Sequence, residues 1–138
     1  MGDELKIYPE CVELKSDADV PIEKYGARAN AIVKLLQAEL PIPKAWAFLC
    51  ESVNKFQNYE FPEIKGLNSS LNNGMLVSLR ASSISREWGG PETLLNIGMN
   101  WKIHAILEDA LGKVTVDALY FRFIQDFATQ VARLDAED

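Results

Sequence analysis

The stretch from Met75 to Asn100, MLVSLRASSISREWGGPETLLNIGMN, decides the fold of this chain. It opens with a strand-like apolar run that ends at Arg80, and a polar loop containing Ser82 follows. After Gly89 comes a second apolar run, at residues 94–97. A strand that delivers an arginine into a serine- and glycine-rich loop places a cation beside backbone N–H donors, as a phosphate group requires. The stretch therefore predicts an anion site, and the alternative of an edge arginine before an ordinary loop stays open.

The length and composition of the chain indicate a single globular domain spanning residues 1–138. Its 138 residues are 48% hydrophobic and 25% charged, the proportions of a protein that buries a core without disulfides. The net charge of −6 argues against binding to nucleic acids or to anionic membranes. No apolar run approaches the roughly 18 residues of a membrane span, and the first residues lack the features of a signal peptide. The last residues, 135–138, are expected to fray.

The two cysteines, Cys11 and Cys50, are predicted to be reduced and partly buried thiols. They lack CxxC spacing, and the chain contains a single histidine, His104, so zinc binding is not indicated. Reduced thiols make the cytoplasm the expected location. His104 is interpreted as a partly exposed structural side chain rather than a catalytic one.

The first third of the chain predicts a short strand and an amphipathic helix. Residues 4–8 alternate between apolar and polar side chains, as in a strand. A polar loop then leads to Pro21 at the first turn of a helix, with Asp19 as its candidate cap. Apolar residues recur at helical spacing up to Leu40, and the prolines that follow are predicted to end the helix.

The remaining segments predict one buried strand and further helices. In chain order they are a strand at 45–50, a short helix at 51–56 capped near Ser52, at most two helical turns within 57–74, a helix at 101–111 closed by Gly112, and a helix at 115–134. The last helix carries an apolar stripe made of Val116, Leu119, Phe123, Phe127, Val131 and Leu134. Trp46 and Trp101 are predicted to be half-buried or in the core. Trp88, in the glycine-rich loop, is predicted to be exposed and available to a partner or a base.

Three segments resemble the amino-terminal part of the ATP-grasp nucleotide-binding domain of pyruvate phosphate dikinase and phosphoenolpyruvate synthase. LVSLRAS at 76–82, then WGGPET and LLNIGMN, match a family strand of type LLVSVRS, a Pro-Gly loop with Asp-Thr, and an LNLGLN run. Residues 25–31 and 40–48 match the family's GGKGxNL turn and its Pro-hydrophobic-Pro turn with the following strand. Residues 120–127 match its YRRFIQMF run. The resemblance covers residues 20–132 approximately.

The resemblance implies an α+β fold, with helices packed on a small, mostly antiparallel sheet, like the first lobe of the dikinase ATP domain. It also implies that a surviving site would bind ATP with magnesium. The residues alone indicate no cofactor. The family's ATP-contacting lysine falls on Ala27, and Arg28 stands one position on, about 100° around a helix. The family's second cationic contact is kept as Arg80. In the loop that covers the phosphates, Trp88 replaces a proline and Gly89 is kept.

The candidate nucleotide or anion site is therefore assembled from arginines and loop residues. It consists of Arg28, Arg80, Ser82, Gly89 and Thr93, the last in Glu-Thr where the family has Asp-Thr. Neither a catalytic residue nor a metal ligand is assigned, because no lysine or histidine stands at a spacing that would activate a loop serine. Two alternatives stay open, namely that the arginines pair with surface carboxylates and that Ser82 is an ordinary loop serine.

Three functions are compatible with this resemblance, and the family's later, metal-binding lobe is expected to be absent. The first is a degenerate, non-catalytic homologue that acts as a protein-interaction or regulatory module. The second is the ATP-binding subunit of a split phosphotransferase whose partner supplies the rest of the active site. The third is a mimic that inhibits a full-length enzyme of the family. A protein partner or a second copy of the chain is expected to cover an exposed apolar face.

Overall fold

The structure is a computed structural model that describes residues 5–64, 66–85 and 92–134. Within these ranges the chain is α+β, with two two-stranded antiparallel sheets packed against five α-helices. The described residues divide into two compact units: unit 1 holds 5–64 and 82–85, and unit 2 holds 66–81 and 92–134. The predicted fold class is confirmed, with the predicted small sheet present as two separate strand pairs. Each described helix is too short or too polar to cross a membrane.

Unit 1 is organised by a pair of short strands and one long helix. Strand β1 (Cys11–Glu13) runs antiparallel to β2 (Trp46–Phe48), and helix α1 (Ile22–Gln37) packs against β2. Tyr25 of α1 is fully buried, and its hydroxyl donates a 2.6 Å hydrogen bond to the carbonyl of Pro9. The buried core around it consists of Leu14, Val20, Tyr25, Ala29, Val33, Ala47 and Leu49.

The first predicted strand, at 4–8, is wrong. The described part of this segment is irregular, and Leu5 and Ile7 are 94% and 91% exposed. The strand forms further on, at Cys11–Glu13, where each residue has a partner on β2. Alternation alone does not stabilise a strand, because the backbone donors and acceptors must also find a neighbouring strand.

Helix α1 begins directly after Pro21, as predicted, but its ends differ from prediction in detail. Asp19 makes no cap; its carboxylate pairs instead with the ammonium group of Lys6. The helix ends at Gln37, before the prolines, and the chain turns away through Glu39 in the left-handed region at φ 58°. The helix therefore ends three residues before Leu40, the predicted last residue.

After β2 the chain continues into a 3₁₀ turn (Cys50–Ser52) and the single-turn helix α2 (Val53–Phe56). This matches the predicted short helix. The predicted cap is wrong, since the side chain of Ser52 makes no cap hydrogen bond and the residue is buried. Trp46 is half-buried, as predicted.

Unit 2 places a strand pair beside a helical hairpin. After the short helix α3 (Leu67–Asn72), strand β3 (Val77–Leu79) pairs antiparallel with β4 (Leu94–Ile97). Helices α4 (Trp101–Leu111) and α5 (Lys113–Asp126) follow, and α5 packs on both β4 and α4. The buried core residues are Met99, Ile103 and Val116.

The bounds of α4 agree with the prediction because both of its ends are marked by local chemistry. The Asn100 side chain accepts hydrogen bonds from the N–H groups of Lys102 and Ile103, at 2.9 and 3.0 Å. Gly112 ends the helix at φ 82°, a conformation that favours glycine. The predicted burial of Trp101 is wrong: as the first residue of α4 it is 72% exposed.

The last helix agrees with the prediction in its first half only. Helix α5 begins two residues early, at Lys113, and at Phe127–Val131 the chain continues as a π-helical turn. The predicted stripe is buried at Val116, and Leu119 and Phe123 pack against the core. The other three members of the predicted stripe are about half exposed; they are Phe127, Val131 and Leu134.

An ion-pair cluster links the two helices of the hairpin. The Asp117 carboxylate lies 2.6 Å from the Lys113 ammonium group and 2.6 Å from Nε2 of His104 on α4. The hydrogen bonds from Lys113 and then from His104 hold the pKa of Asp117 below its usual value. His104 is partly exposed, as predicted, with 18% of its side chain accessible. Its structural role stays a prediction.

We expect Asp117→Asn to destabilise the protein at neutral pH and to have less effect in acid. A carboxyl group whose folded-state pKa is lowered stabilises the fold above its unfolded pKa and loses that contribution as the pH falls through the folded value. Urea unfolding of both proteins at pH 7 and at successively lower pH tests this. Asp109→Asn, an exposed carboxylate on α4 without an ion pair among the described residues, is the control. A stability difference that grows towards acid would contradict the assignment.

Candidate functional site

The turn at Tyr25–Ala29, called here the helix-opening turn, is where two of the sequence motifs meet in unit 1. Gly26 interrupts the helical conformation of α1 with φ 82° and ψ 167°. A Cβ atom at this position would lie 2.0 Å from the carbonyl oxygen of Ser82. Glycine is therefore required twice, for its backbone angles and for the close approach of the serine loop.

The loop residues Ser82 and Ser83 cap the helix that starts after Gly26. The Ser82 hydroxyl donates a 2.7 Å hydrogen bond to the carbonyl of Tyr25 and accepts one of 3.1 Å from the N–H of Ala29. The Ser83 carbonyl accepts a 2.8 Å hydrogen bond from the N–H of Ala27. Two donors that a helix N-terminus would otherwise present to an anion are thus paired within the chain.

The hydrogen bonds of Ser82 and Ser83 limit how the helix-opening turn can bind a phosphate group. The single hydroxyl proton of Ser82 is committed to a backbone carbonyl, so the side chain has none left to donate to a ligand oxygen. Ala27, at the position where the resemblance places a lysine, offers no charge. As folded, the helix-opening turn therefore offers a phosphate group neither the Ser82 proton nor a cation at position 27. The assignment of Ser82 to an anion site stays a prediction.

The arginines of the candidate site lie in different units. Arg28 follows Ala27 in unit 1 and is exposed; Arg80 follows β3 in unit 2 and is exposed. Among the described residues neither forms an ion pair, whereas Arg122 pairs with Asp126. Within these ranges the alternative of arginines neutralised by surface carboxylates is therefore not supported for Arg28 and Arg80.

The other candidate residues are placed only in part. Thr93 is half-buried just before β4 in unit 2, and its carbonyl lies 3.5 Å from the side-chain amide of Gln130. Gly89 and Trp88 fall outside the described residues, so their predicted roles stay predictions.

A shallow, open depression of about 770 Å³ lies beside the serine loop in unit 1. It is lined by Cys50, Val53, Asn54, Ser82, Ser83, Ile84 and Ser85. These side chains carry no positive charge, so the depression does not attract a phosphate by charge. The Cys50 thiol lies 3.8 Å from the Ser82 carbonyl, and burial raises the pKa of this thiol. A raised pKa keeps the sulfur protonated at neutral pH and poorly nucleophilic.

Both cysteines are unpaired and half-buried, which confirms that part of the prediction. The contact of Cys50 with the serine loop was not predicted, and neither was the capping role of the Ser83 carbonyl. Their partners stand 32 and 56 residues away along the chain, and no periodicity or spacing marks such contacts.

Comparison with curated proteins aligns this chain with a pyruvate, phosphate dikinase from Rickettsia prowazekii (strain Madrid E). The two are 26% identical in an alignment 132 residues long, which covers 81% of this chain and only 15% of the length of that protein. No protein-family model matches the chain. No solved structure matches it either. The alignment supports a distant relationship to a pyruvate, phosphate dikinase.

We expect Gly26→Ala to destabilise the protein by more than about 3 kcal/mol, because it adds a clash to unfavourable backbone angles. Gly112→Ala is a matched control, since Gly112 has φ 82° and ψ 152° but open space where a Cβ would stand. The control should cost only the backbone strain, about 1–2 kcal/mol. Urea unfolding followed by circular dichroism measures both. Equal costs would show that the approach of Ser82 does not require the glycine.

We expect Ser82→Ala to cost about 1–3 kcal/mol, because it removes the hydrogen bonds of Ser82 to the Tyr25 carbonyl and from the Ala29 N–H. Ser85→Ala, in the same loop but exposed, should change the stability by less than about 0.5 kcal/mol. The same unfolding measurement applies. If the two variants were equally stable, Ser82 would not be the helix cap.

Proposed function

We propose that this chain is a catalytically degenerate homologue of the ATP-binding lobe of pyruvate, phosphate dikinase and acts as a protein-interaction or regulatory module. The distant alignment with a pyruvate, phosphate dikinase supports the proposed homology to that enzyme's ATP-binding lobe. The helix-opening turn supports the loss of catalysis. In this proposal the chain transfers no phosphoryl group by itself and works through contacts with another protein chain.

One observation carries this proposal: the helix-opening turn is filled by the chain's own serine loop. Where the resemblance places a cationic contact, the side chain is that of Ala27, and its N–H is bonded to Ser83. A nucleotide phosphate would have to displace hydrogen bonds that hold unit 1 together. Such a displacement costs binding energy that the uncharged side chain of Ala27 does not return.

Exposed apolar side chains support an interaction role. In unit 1 Tyr59 and Phe61 are 86% and 64% exposed, and in unit 2 Phe121 is 68% exposed. Aromatic side chains are enriched at the centres of protein interfaces, where they contribute much of the binding energy. A module that binds another protein would bury them.

The split phosphotransferase is a second candidate, and the two exposed arginines favour it. Arg28 and Arg80 form no ion pair among the described residues, and Arg80 stands at a cationic position of the family motif. In this alternative Arg80 binds the nucleotide, and a partner chain supplies the remaining groups.

Titration calorimetry with ATP and magnesium distinguishes the two functions. The degenerate module should give no detectable heat, and Arg80→Ala should behave like the natural chain. Ala27→Lys tests why the chain is expected not to bind ATP. The restored cation should not be sufficient for ATP binding while Ser82 and Ser83 cap the turn. Micromolar binding that is lost in Arg80→Ala would support the split phosphotransferase. Turnover of ATP by the purified chain would refute the degenerate module.

A further inference from the structure

Unit 1 carries a row of aromatic rings that runs from its strand pair to the surface. The Phe48 ring on β2 lies 5.4 Å from the Phe56 ring on α2, edge to face, and the Phe61 ring lies 5.3 Å from that of Phe56. Phe61 is nevertheless 64% exposed, and Tyr59 is 86% exposed. Because residues two apart have Cα atoms at most about 7 Å apart, these side chains belong to one region of the surface. Phe56, Tyr59 and Phe61 are called here the aromatic patch.

Helix α2 ends in a Schellman motif that places Tyr59 in the left-handed region, at φ 60°. In this motif the Tyr59 N–H donates to the Phe56 carbonyl at 3.0 Å, and the Glu60 N–H donates to the Lys55 carbonyl at 3.2 Å. Glycine is the usual residue at this position, because a Cβ atom disfavours the left-handed region. An exposed ring makes up little of that difference by packing. The fold alone therefore gives no reason for a tyrosine here.

The surface beside these rings is negatively charged. Glu60 and Glu63 are exposed, and neither forms an ion pair within the described part of the chain. The Lys55 ammonium group is hydrogen-bonded to Glu10, which raises the pKa of Lys55, and the charge of Glu60 raises it further. Glu10 and Glu60 thus share one ammonium group, and Glu63 adds a negative charge two residues after Phe61. The faces of aromatic rings are negative as well, so this surface attracts cations.

We propose that the aromatic patch is the docking surface for a basic segment of a partner protein, one that presents arginine side chains. In such a contact a guanidinium group lies over the ring of Tyr59 or Phe61 and pairs with Glu60 or Glu63. Arginine suits this position because its planar group stacks on a ring and donates to a carboxylate at the same time. This inference rests on the interaction role proposed above and names the chemistry of the partner.

The charge of the chain disfavours a second copy as the occupant of the aromatic patch. Each copy has a net charge of −6, and a symmetric contact would bring Glu60 and Glu63 of both copies together. Like charges that face each other across an interface weaken the contact and select against the wrong partner. A basic segment reverses the sign of that term, so charge complementarity favours it.

Binding of a fluorescent peptide that alternates arginine and alanine tests the docking surface, with fluorescence anisotropy as the readout. The control peptides alternate glutamate with alanine and leucine with serine. Binding is expected for the arginine peptide alone, and added salt should weaken it because the carboxylates of the patch are exposed. Equal binding of the leucine peptide would overturn the basic partner, and so would the absence of binding by the arginine peptide.

Two glycine substitutions at equivalent backbone positions separate docking from folding. Glu39 occupies the same position of a Schellman motif at the end of α1, at φ 58°, where the Leu40 N–H donates to the Leu35 carbonyl. Tyr59→Gly and Glu39→Gly should therefore both be at least as stable in urea as the natural chain. Only Tyr59→Gly should weaken the binding of the arginine peptide, by about tenfold. Equal binding by the two variants would overturn the docking surface.

Glu60→Gln tests the part played by charge, since it replaces a carboxylate with an amide of the same shape. The variant should bind the arginine peptide about threefold more weakly, with a smaller effect of salt. Glu39→Gly also removes an exposed carboxylate from unit 1, so it is the control for net charge. Equal weakening by these two variants would show that net charge alone attracts the peptide and would overturn the site.

The outcomes also separate this inference from the proposed function. If the arginine peptide does not bind and the chain gives no heat with ATP, the docking surface is refuted and the interaction role stands with a partner of other chemistry. ATP binding that is lost in Arg80→Ala would instead remove the proposed function. The peptide measurements would then still decide whether the aromatic patch binds a basic segment.

Discussion

The side-chain oxygen of Ser82 joins parts of unit 1 that are far apart in sequence. It donates to Tyr25 on one side of Gly26 and accepts from Ala29 on the other, so it stabilises the break in α1 as well as the helix start. The close approach depends on the missing Cβ of Gly26. Because Tyr25 also anchors the buried core, the position of α1 depends on the same contact. A turn that could have faced a ligand is thereby used to hold the unit together.

Features set by neighbouring residues could be predicted from the sequence. Helix α4 has the predicted bounds because Gly112 ends it locally, and strand β2 lies within a short apolar run between helix-breaking residues. Features that depend on residues far away along the chain could not be predicted. The first strand formed at Cys11–Glu13 because β2 lies beside it, and Trp101 is exposed because the core of unit 2 lies on the other side of α4. Periodicity specifies a face of an element and does not specify what covers it.

The candidate site shows the same limit. Gly26 and Ser82 were assigned to two separate motifs, and nothing in either motif indicates that one fills the space beside the other. The resemblance gave these residues positions relative to a nucleotide, but at 26% identity it does not specify their hydrogen bonds. Arg28 belongs to unit 1 and Arg80 to unit 2, so their convergence on one anion stays a prediction.

The interleaved order of the two units affects how the chain can be made. Translation delivers β1, α1 and β2 first, then α3 and β3 of unit 2, and only afterwards the serines that cap α1. While the nascent chain emerges from the ribosome, the break at Gly26 has no partner, and β3 likewise lacks β4. Neither unit can reach its native hydrogen bonding before most of the chain has been synthesised, so an arrested or truncated translation product would expose both cores to aggregation.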